Sequence, residues 1–180
     1  MSNEIERDQG AALKSSASNN AVTPTSLVTA LQRENPSWVG EVIEAFGEIT
    51  IVVPRELIVS VCSFLKSAPG LEFNFLADVS GVDRGPEEEP RFEVNYHLFS
   101  TRLHHRLRLK VVLTEEDAHV ATVTEVWRTA NWHERETFDL FGVIFDGHPD
   151  LRRILLPEEW QGHALRKDFP LRGYEPYSLT

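Results

Sequence analysis

The stretch "RFEVNYHLFSTRLHHRLRLKVVL", Arg91–Leu113, decides the fold class. Phe92, Val94, Tyr96 and Leu98 alternate with polar residues, and so do Leu107, Leu109, Val111 and Leu113. A period of two places each apolar set on one face of a strand. The turn around "STRLH" makes the two strands antiparallel neighbours. Upstream, "FNFLADVSGV" puts Phe73, Phe75, Ala77 and Val79 on a common face, and the acidic loop "DRGPEEEP" links it to the pair. The three form a meander with one wet face. Glu93 is expected near Arg108 or Lys110 across the ladder, a pair worth roughly 0.2–1 kcal/mol.

Helices must cover the apolar face. Thr25 or Ser26 can cap a short helix through Leu27, Ala30 and Leu31. Pro36 suits a first turn, Val39, Val42, Ile43 and Phe46 recur at helical spacing, and Gly47 supplies a stop, which predicts a second helix. "EITIVV" reads as a buried strand. Pro54 opens a helix whose face is Leu57, Ile58, Val61, Cys62 and Leu65, so Cys62 reads as core packing. "TEVWRTA" is expected to lead as helix into "NWHERETFDLFGV", and "VIFDGHP" to be a short strand and turn; between Glu115 and Val123 only a loop and a short strand are indicated. The fold class is α+β: a two-layer domain with a mixed, largely antiparallel sheet packed by helices, followed by an extended C-terminal tail. The division is 1–22 as a flexible N-terminal tail, 23–148 as the domain and 149–180 as a partner-binding segment.

The 180 residues suffice for one sizeable core. A net charge of −10 argues against general nucleic-acid affinity, which feeds on excess Lys and Arg. One cysteine can form no internal disulfide and hold no iron–sulfur cluster; a reducing, intracellular setting fits. No apolar run approaches the roughly 18–20 residues that cross a bilayer, and "MSNEIERDQG" resembles neither a secretory signal nor a transit peptide.

Enzymatic motifs fail one by one. "HERET" starts as a zincin motif does, but Thr137 stands where the second histidine belongs. There is no Gly-x-Gly-x-x-Gly, no Walker A sequence and no Gly-x-Ser-x-Gly elbow. The basic face of Arg106, Arg108 and Lys110 reads as the solvated side of a strand.

On a helix, Trp127, Asn131, Glu134, Phe138 and Phe141 fall on one stripe. Glu134 thus sits inside an apolar face, and Glu136 between Trp132 and Leu140. Two positions apart on a helix diverge by about 200°, so Glu134 and Glu136 cannot act on one substrate. Buried carboxylates need partners: Arg152 and Arg153 are the candidates for Glu134, while Arg135 and Asp139 can pair at i,i+4. From Leu151 onward, five basic residues face four acidic ones, and Pro157, Pro170 and Pro176 with Pro149 break any regular element. Trp160, Phe169, Tyr174 and Tyr177 have no periodicity. Such a segment either lies over another protein, its aromatics in pockets, or wraps its own domain.

"WHERETFDLFGVIFDGHPDLRRILLPEEWQGHALRKDFPLRGYE", Trp132–Glu175, resembles the thirty-kilodalton subunit family of respiratory complex I, in bacteria the C-type subunit of NADH-quinone oxidoreductase. The family pattern Glu-Arg-Glu-x-x-Asp-x-x-Gly matches Glu134, Arg135, Glu136, Asp139 and Gly142. Its His-Pro-x-Leu-Arg-Arg-Ile-Leu element matches His148, Pro149 and Leu151 to Leu155, with Arg152 and Arg153. A third element matches Gly162, His163, Arg166, Lys167, Asp168 and on to Leu171; Ala164 departs from the usual proline. The resemblance implies a structural or interface role for these residues and no catalytic, cofactor or metal site in this chain. It implies a subunit without redox groups in the hydrophilic arm of a proton-translocating NADH:quinone oxidoreductase, with FMN and iron–sulfur clusters in partner subunits. The partners implied are the forty-nine-kilodalton, D-type subunit and the B-type subunit, with no nucleic acid. Membrane association is then only through the complex, on the cytoplasmic side of the bacterial inner membrane. A ferredoxin-, F420- or hydrogen-linked relative and a stand-alone binding module are the alternatives.

Overall fold

The computed structural model describes residues 24–174. The expected N-terminal tail, and Pro176 and Tyr177, lie outside the described residues. Five strands form one sheet: β1 (Val42–Ala45), β2 (Glu48–Val52), β3 (Phe75–Asp83), β4 (Phe92–Phe99) and β5 (Arg106–Leu113), in the order β1-β2-β5-β4-β3. Within this sheet only β2 and β5 pair in parallel. The fold is α+β with a mixed, largely antiparallel sheet, as the alternation predicts.

The eight apolar residues that the period-two reading of β4 and β5 sets inward are all buried. On the outer face of the two strands Phe99 is partly exposed, Val112 is exposed and Asn95 is buried. The inward eight face Leu27 and Leu31 of helix α1 (Pro24–Glu34) and Ile58, Val61, Cys62 and Leu65 of helix α2 (Ile58–Ser67) in one core. On the opposite face Glu93 meets Lys110 Nζ at 2.7 Å, while Arg108 turns to Glu48 at 2.6 Å.

Three local expectations change. The helix expected from Pro36 to Phe46 is a single 3₁₀ turn, Pro36–Trp38, followed by the β1–β2 hairpin. Asn35 caps that turn through Ser37 N–H (3.0 Å). β-Branched Val42 and Ile43 suit a strand, and Gly47 serves a hairpin turn rather than a helix stop. In β3, the register shifts between Leu76 and Asp78, so Leu76 and Val79 are buried while Phe75 and Ala77 face out. The extra residue breaks the simple alternation. "TEVWRTA" forms turns, and helix α3 starts only at Ala130, running to Phe141. Helix α1 already includes Pro24, so Thr25 and Ser26 stand inside its first turn. Strands β6 (His119–Ala121) and β7 (Ile144–Asp146) form a separate parallel pair.

Helix α3 lies along β3, the edge of the sheet. Thr137 Oγ1 donates to the Val79 carbonyl at 3.0 Å, and the ring of Phe141 rests on Gly81. A Cβ at Gly81 would stand 2.5 Å from that ring. Gly81→Ala should therefore destabilise the isolated chain by about 1–3 kcal/mol through forced displacement of Phe141, read as a lower urea midpoint. An unchanged midpoint would mean that α3 does not seat on this strand.

Candidate functional site

A helix ends with carbonyl groups that no later turn can satisfy. At the end of α3, the chain beyond residue 150 supplies most of the missing donors. The Phe138 carbonyl accepts from Gly142 N–H (2.8 Å). The Asp139 carbonyl accepts from His163 Nδ1 (2.9 Å) and Arg153 Nη1 (3.0 Å). Leu165 N–H donates to the Leu140 carbonyl (3.0 Å), and Arg166 Nε to that of Phe141 (2.7 Å). The cationic Arg153 and Arg166 also suit the negative pole of the helix.

The side chain of Asp139 binds the same segment. Its Oδ2 accepts three successive N–H groups, of Ile154 (3.0 Å), Leu155 (2.8 Å) and Leu156 (2.9 Å), an anion-binding nest. Its Oδ1 accepts from Arg153 Nη1 at 2.6 Å. Burial by itself would raise the carboxyl pKa; the three N–H groups and Arg153 outweigh it and hold the pKa below the ordinary range. Arg153 then reaches on with Nη2 to the carbonyls of Trp160 (3.1 Å) and Gly162 (2.9 Å). Arg135 grips from the side, donating to the carbonyls of Arg152 and Arg153, both at 3.0 Å. Arg135 and Asp139 thus share a partner segment instead of pairing with each other.

Gly142 shows why a glycine must follow. Its φ is +78°, the left-handed helix cap. A Cβ there would also meet Arg166 Nη2 and the His163 ring at 2.6 Å. His148 closes the connection: Asp150 N–H donates to its Nδ1 (3.0 Å), so its Nε2 donates to the Asn131 carbonyl (3.1 Å).

A second anchor was not anticipated from the sequence. Arg91, 1% exposed, forks onto Asp83 with two bonds of 2.9 Å, and also reaches Glu115 (2.6 Å) and Asp168 (2.8 Å). Asp83 Oδ2 accepts Lys167 N–H as well (2.7 Å). Burial opposes ionisation of Asp83, but Arg91 and the N–H groups of Lys167 and Gly85 bring its pKa down to about 2. Arg91 and Arg166 lie over the Phe92 ring, at 5.0 and 4.9 Å from its centre. Asp83 and Arg91 close the β3–β4 connection, while Glu115 and Asp168 are distant in sequence; the one signal was an arginine opening an apolar strand.

Glu134 is a correction. It is fully buried as expected, yet no arginine among the described residues meets it. Its Oε1 accepts Val123 N–H (2.8 Å) and its Oε2 the Thr122 hydroxyl (2.5 Å). Arg153 goes to Asp139, while Arg152 pairs with Asp150 (2.9 Å). Burial pushes the Glu134 carboxyl up to about 7, partly offset by these two donors. Glu136, the other carboxylate of the motif, is exposed, and Lys167 uses its backbone N–H while its side chain faces out.

The described residues hold no group of three or more His, Cys, Asp or Glu side chains placed to bind a metal, and no helix among them is long and apolar enough to cross a membrane. Cys62 is buried, with its thiol pKa pushed up first by desolvation and then by Glu134.

The family model of the respiratory-chain NADH dehydrogenase 30 kDa subunit matches residues 51–175. The chain belongs to this family. A relative named as the NADH-quinone oxidoreductase C subunit 2 of Rhizobium meliloti is 56% identical over 131 residues, 73% of this chain and 71% of that one. The corresponding C-type subunit of Geobacter metallireducens is 48% identical over 152 residues, 83% of this chain and 93% of the other. Among solved structures, a trypsin-resistant fragment (1–134) of Nqo5 superposes with a TM-score of 0.60 at 34% identity, covering 72% of this chain and all of the fragment. A chain of an archaeal membrane-bound sulfane sulfur reductase shares the fold at TM-score 0.68 and 24% identity, covering 82% and 85%. The family motif is, in this structure, the joint between α3 and the chain that follows it.

Three outcomes follow for the isolated chain. Asp139→Ala should remove hydrogen-exchange protection at the amides of residues 154–156 and speed proteolysis beyond residue 150, with little change in the β4 and β5 amides. The Asp83 and Asp139 carboxyls are both held below the ordinary carboxylate range, so their contribution is present above about pH 4 and lost as the pH falls below it, for Asp83 towards about 2; the tail should loosen on that descent. Glu134 has the opposite sign. Its folded pKa is raised, so its share of stability is complete below the unfolded value near 4.5 and declines until the pH passes about 7, by on the order of 3 kcal/mol. Glu134→Gln should flatten that decline, as measured by urea unfolding across pH 4.5–8.

Proposed function

We propose that this chain is a non-redox structural subunit of the hydrophilic arm of a proton-translocating NADH:quinone oxidoreductase. In that role electrons pass from NADH through FMN and iron–sulfur clusters held by partner subunits to quinone, and this chain presents residues 149–180 to the D-type subunit, near the B-type one. It sits at the cytoplasmic face of the bacterial inner membrane through the complex alone. The observation that carries this reading is the orientation of the tail. Its backbone is tied inward by Asp139, Arg153 and Arg135, while Leu155, Leu165, Leu171 and Tyr174 are exposed, Leu171 completely. Ordering the backbone in advance lowers the entropy cost of docking those side chains on a partner. The relatives' names and the single, buried Cys62 accord with this role.

The alternative is the equivalent subunit of a related ferredoxin-, F420- or hydrogen-linked membrane oxidoreductase; the archaeal sulfane sulfur reductase chain shares the fold alone. A stand-alone binding module would need no such partners. Pull-down of tagged full-length chain from solubilised membranes, read by mass spectrometry, separates these readings: recovery of the D-type, FMN-binding and cluster-binding subunits is expected. A chain recovered alone, or carrying its own FMN or iron, would refute the proposal. Glu136→Ala should lower recovery of the assembled complex several-fold and leave quinone reduction normal in the complexes that form. Full assembly with slowed reduction would point instead to a part in the reaction.

A further inference from the structure

We infer that the β1–β2 hairpin is a second docking element, with Phe46 as a knob for an apolar socket on a partner subunit. Ala45 pairs with Glu48, so the turn is the two residues Phe46 and Gly47. Both have positive φ, +54° and +77°, as in the tight turn where Asn-Gly is strongly favoured. A bulky residue at positive φ is strained, and normally some burial offsets the strain. Phe46 has none within the described residues: it stands at 105% of its reference exposure. The largest strain-intolerant side chain on the hairpin thus occupies the position best suited to asparagine, where its ring contributes nothing to the fold.

The surroundings define the partner. Glu41 and Glu44 are exposed on the same hairpin, Glu48 is exposed but already paired with Arg108 (2.6 Å), and Val42 adds apolar surface at 36% exposure. An aromatic knob on a hairpin that also exposes Glu41 and Glu44 fits a protein pocket about one ring wide with Lys or Arg nearby. It does not fit a nucleic acid or an anionic membrane surface, both of which the glutamates repel. The hairpin forms the β1 edge of the sheet, whereas α3 and the tail lie at the β3 edge. Two contacts at opposite edges would fix the orientation of the chain as well as its attachment. This inference rests on the reading of the chain as one subunit of a membrane complex.

The test uses opposing effects on stability and assembly. Full-length tagged chain replaces the cell's own copy as wild type, Phe46→Asn, Phe46→Leu or Glu44→Lys. Phe46→Asn should raise the melting temperature of the purified chain by about 2–4 °C, since it relieves the turn, yet cut recovery of the D-type subunit at least tenfold. Phe46→Leu should keep most of the recovery, and Glu44→Lys should lose it several-fold at an unchanged melting temperature. Wild-type recovery by Phe46→Asn, or a fall in its melting temperature, would overturn the inference. So would a dimer of this chain that Phe46→Asn abolishes, or a shift in Phe46 signals on removal of residues 1–22, since the occupant would then be a second copy or the chain's own N-terminal segment. Failure of the wild type itself to recover the partner would strike the proposed function instead.

Discussion

Everything beyond residue 150 depends on how α3 ends. The final turn of any helix leaves carbonyl oxygens without donors, and in this chain three of those oxygens are satisfied by groups from residues 153–166. Asp139 adds a carboxylate at the negative helix pole, an unfavourable place for it on its own. Three backbone N–H groups and Arg153 make that charge tolerable. The constraint works in both directions: the helix end needs the tail to satisfy its acceptors, and a tail without helix or strand needs the helix end to satisfy its donors.

The Arg91 cluster supplies the second fixed point. A fully buried guanidinium has to find acceptors for its donors, and carboxylates from β3, from the chain after β5 and from the tail provide them. Breaking such a cluster strands a buried charge, so it makes the joint specific more than it makes the domain stable. The tail is thereby pinned at Asp139 and again at Lys167 and Asp168, with Leu155 and Leu165 facing out between or beside the pins.

Glu134 belongs to the same motif but has a different task. It holds the Thr122–Val123 backbone against α3, and the absence of a cation beside it in the described residues is why its carboxyl is raised rather than depressed. Three acidic residues within six positions of one helix therefore have three fates: Glu134 buried and pushed towards neutrality, Glu136 exposed, Asp139 buried and kept ionised. These roles accord with the structural part proposed for the chain.

What the sequence alone determined was whatever local periodicity and turn chemistry encode. The alternation in β4 and β5, the apolar face of α2 and the burial of Glu134 could all be read from residues a few positions apart. The family motif was legible too, but as a pattern without a geometry. Apart from the ladder pair Glu93–Lys110, tertiary structure alone decided which cation meets which anion. Arg153 chose Asp139 over Glu134, and Arg91 gathered Asp83, Glu115 and Asp168 from three distant parts of the chain, because pairing depends on distances in space that spacing along the chain does not fix. It also decided the hairpin at Phe46, where a short apolar run fits a helix or a strand equally well until a neighbouring strand, β5, offers the backbone its hydrogen bonds.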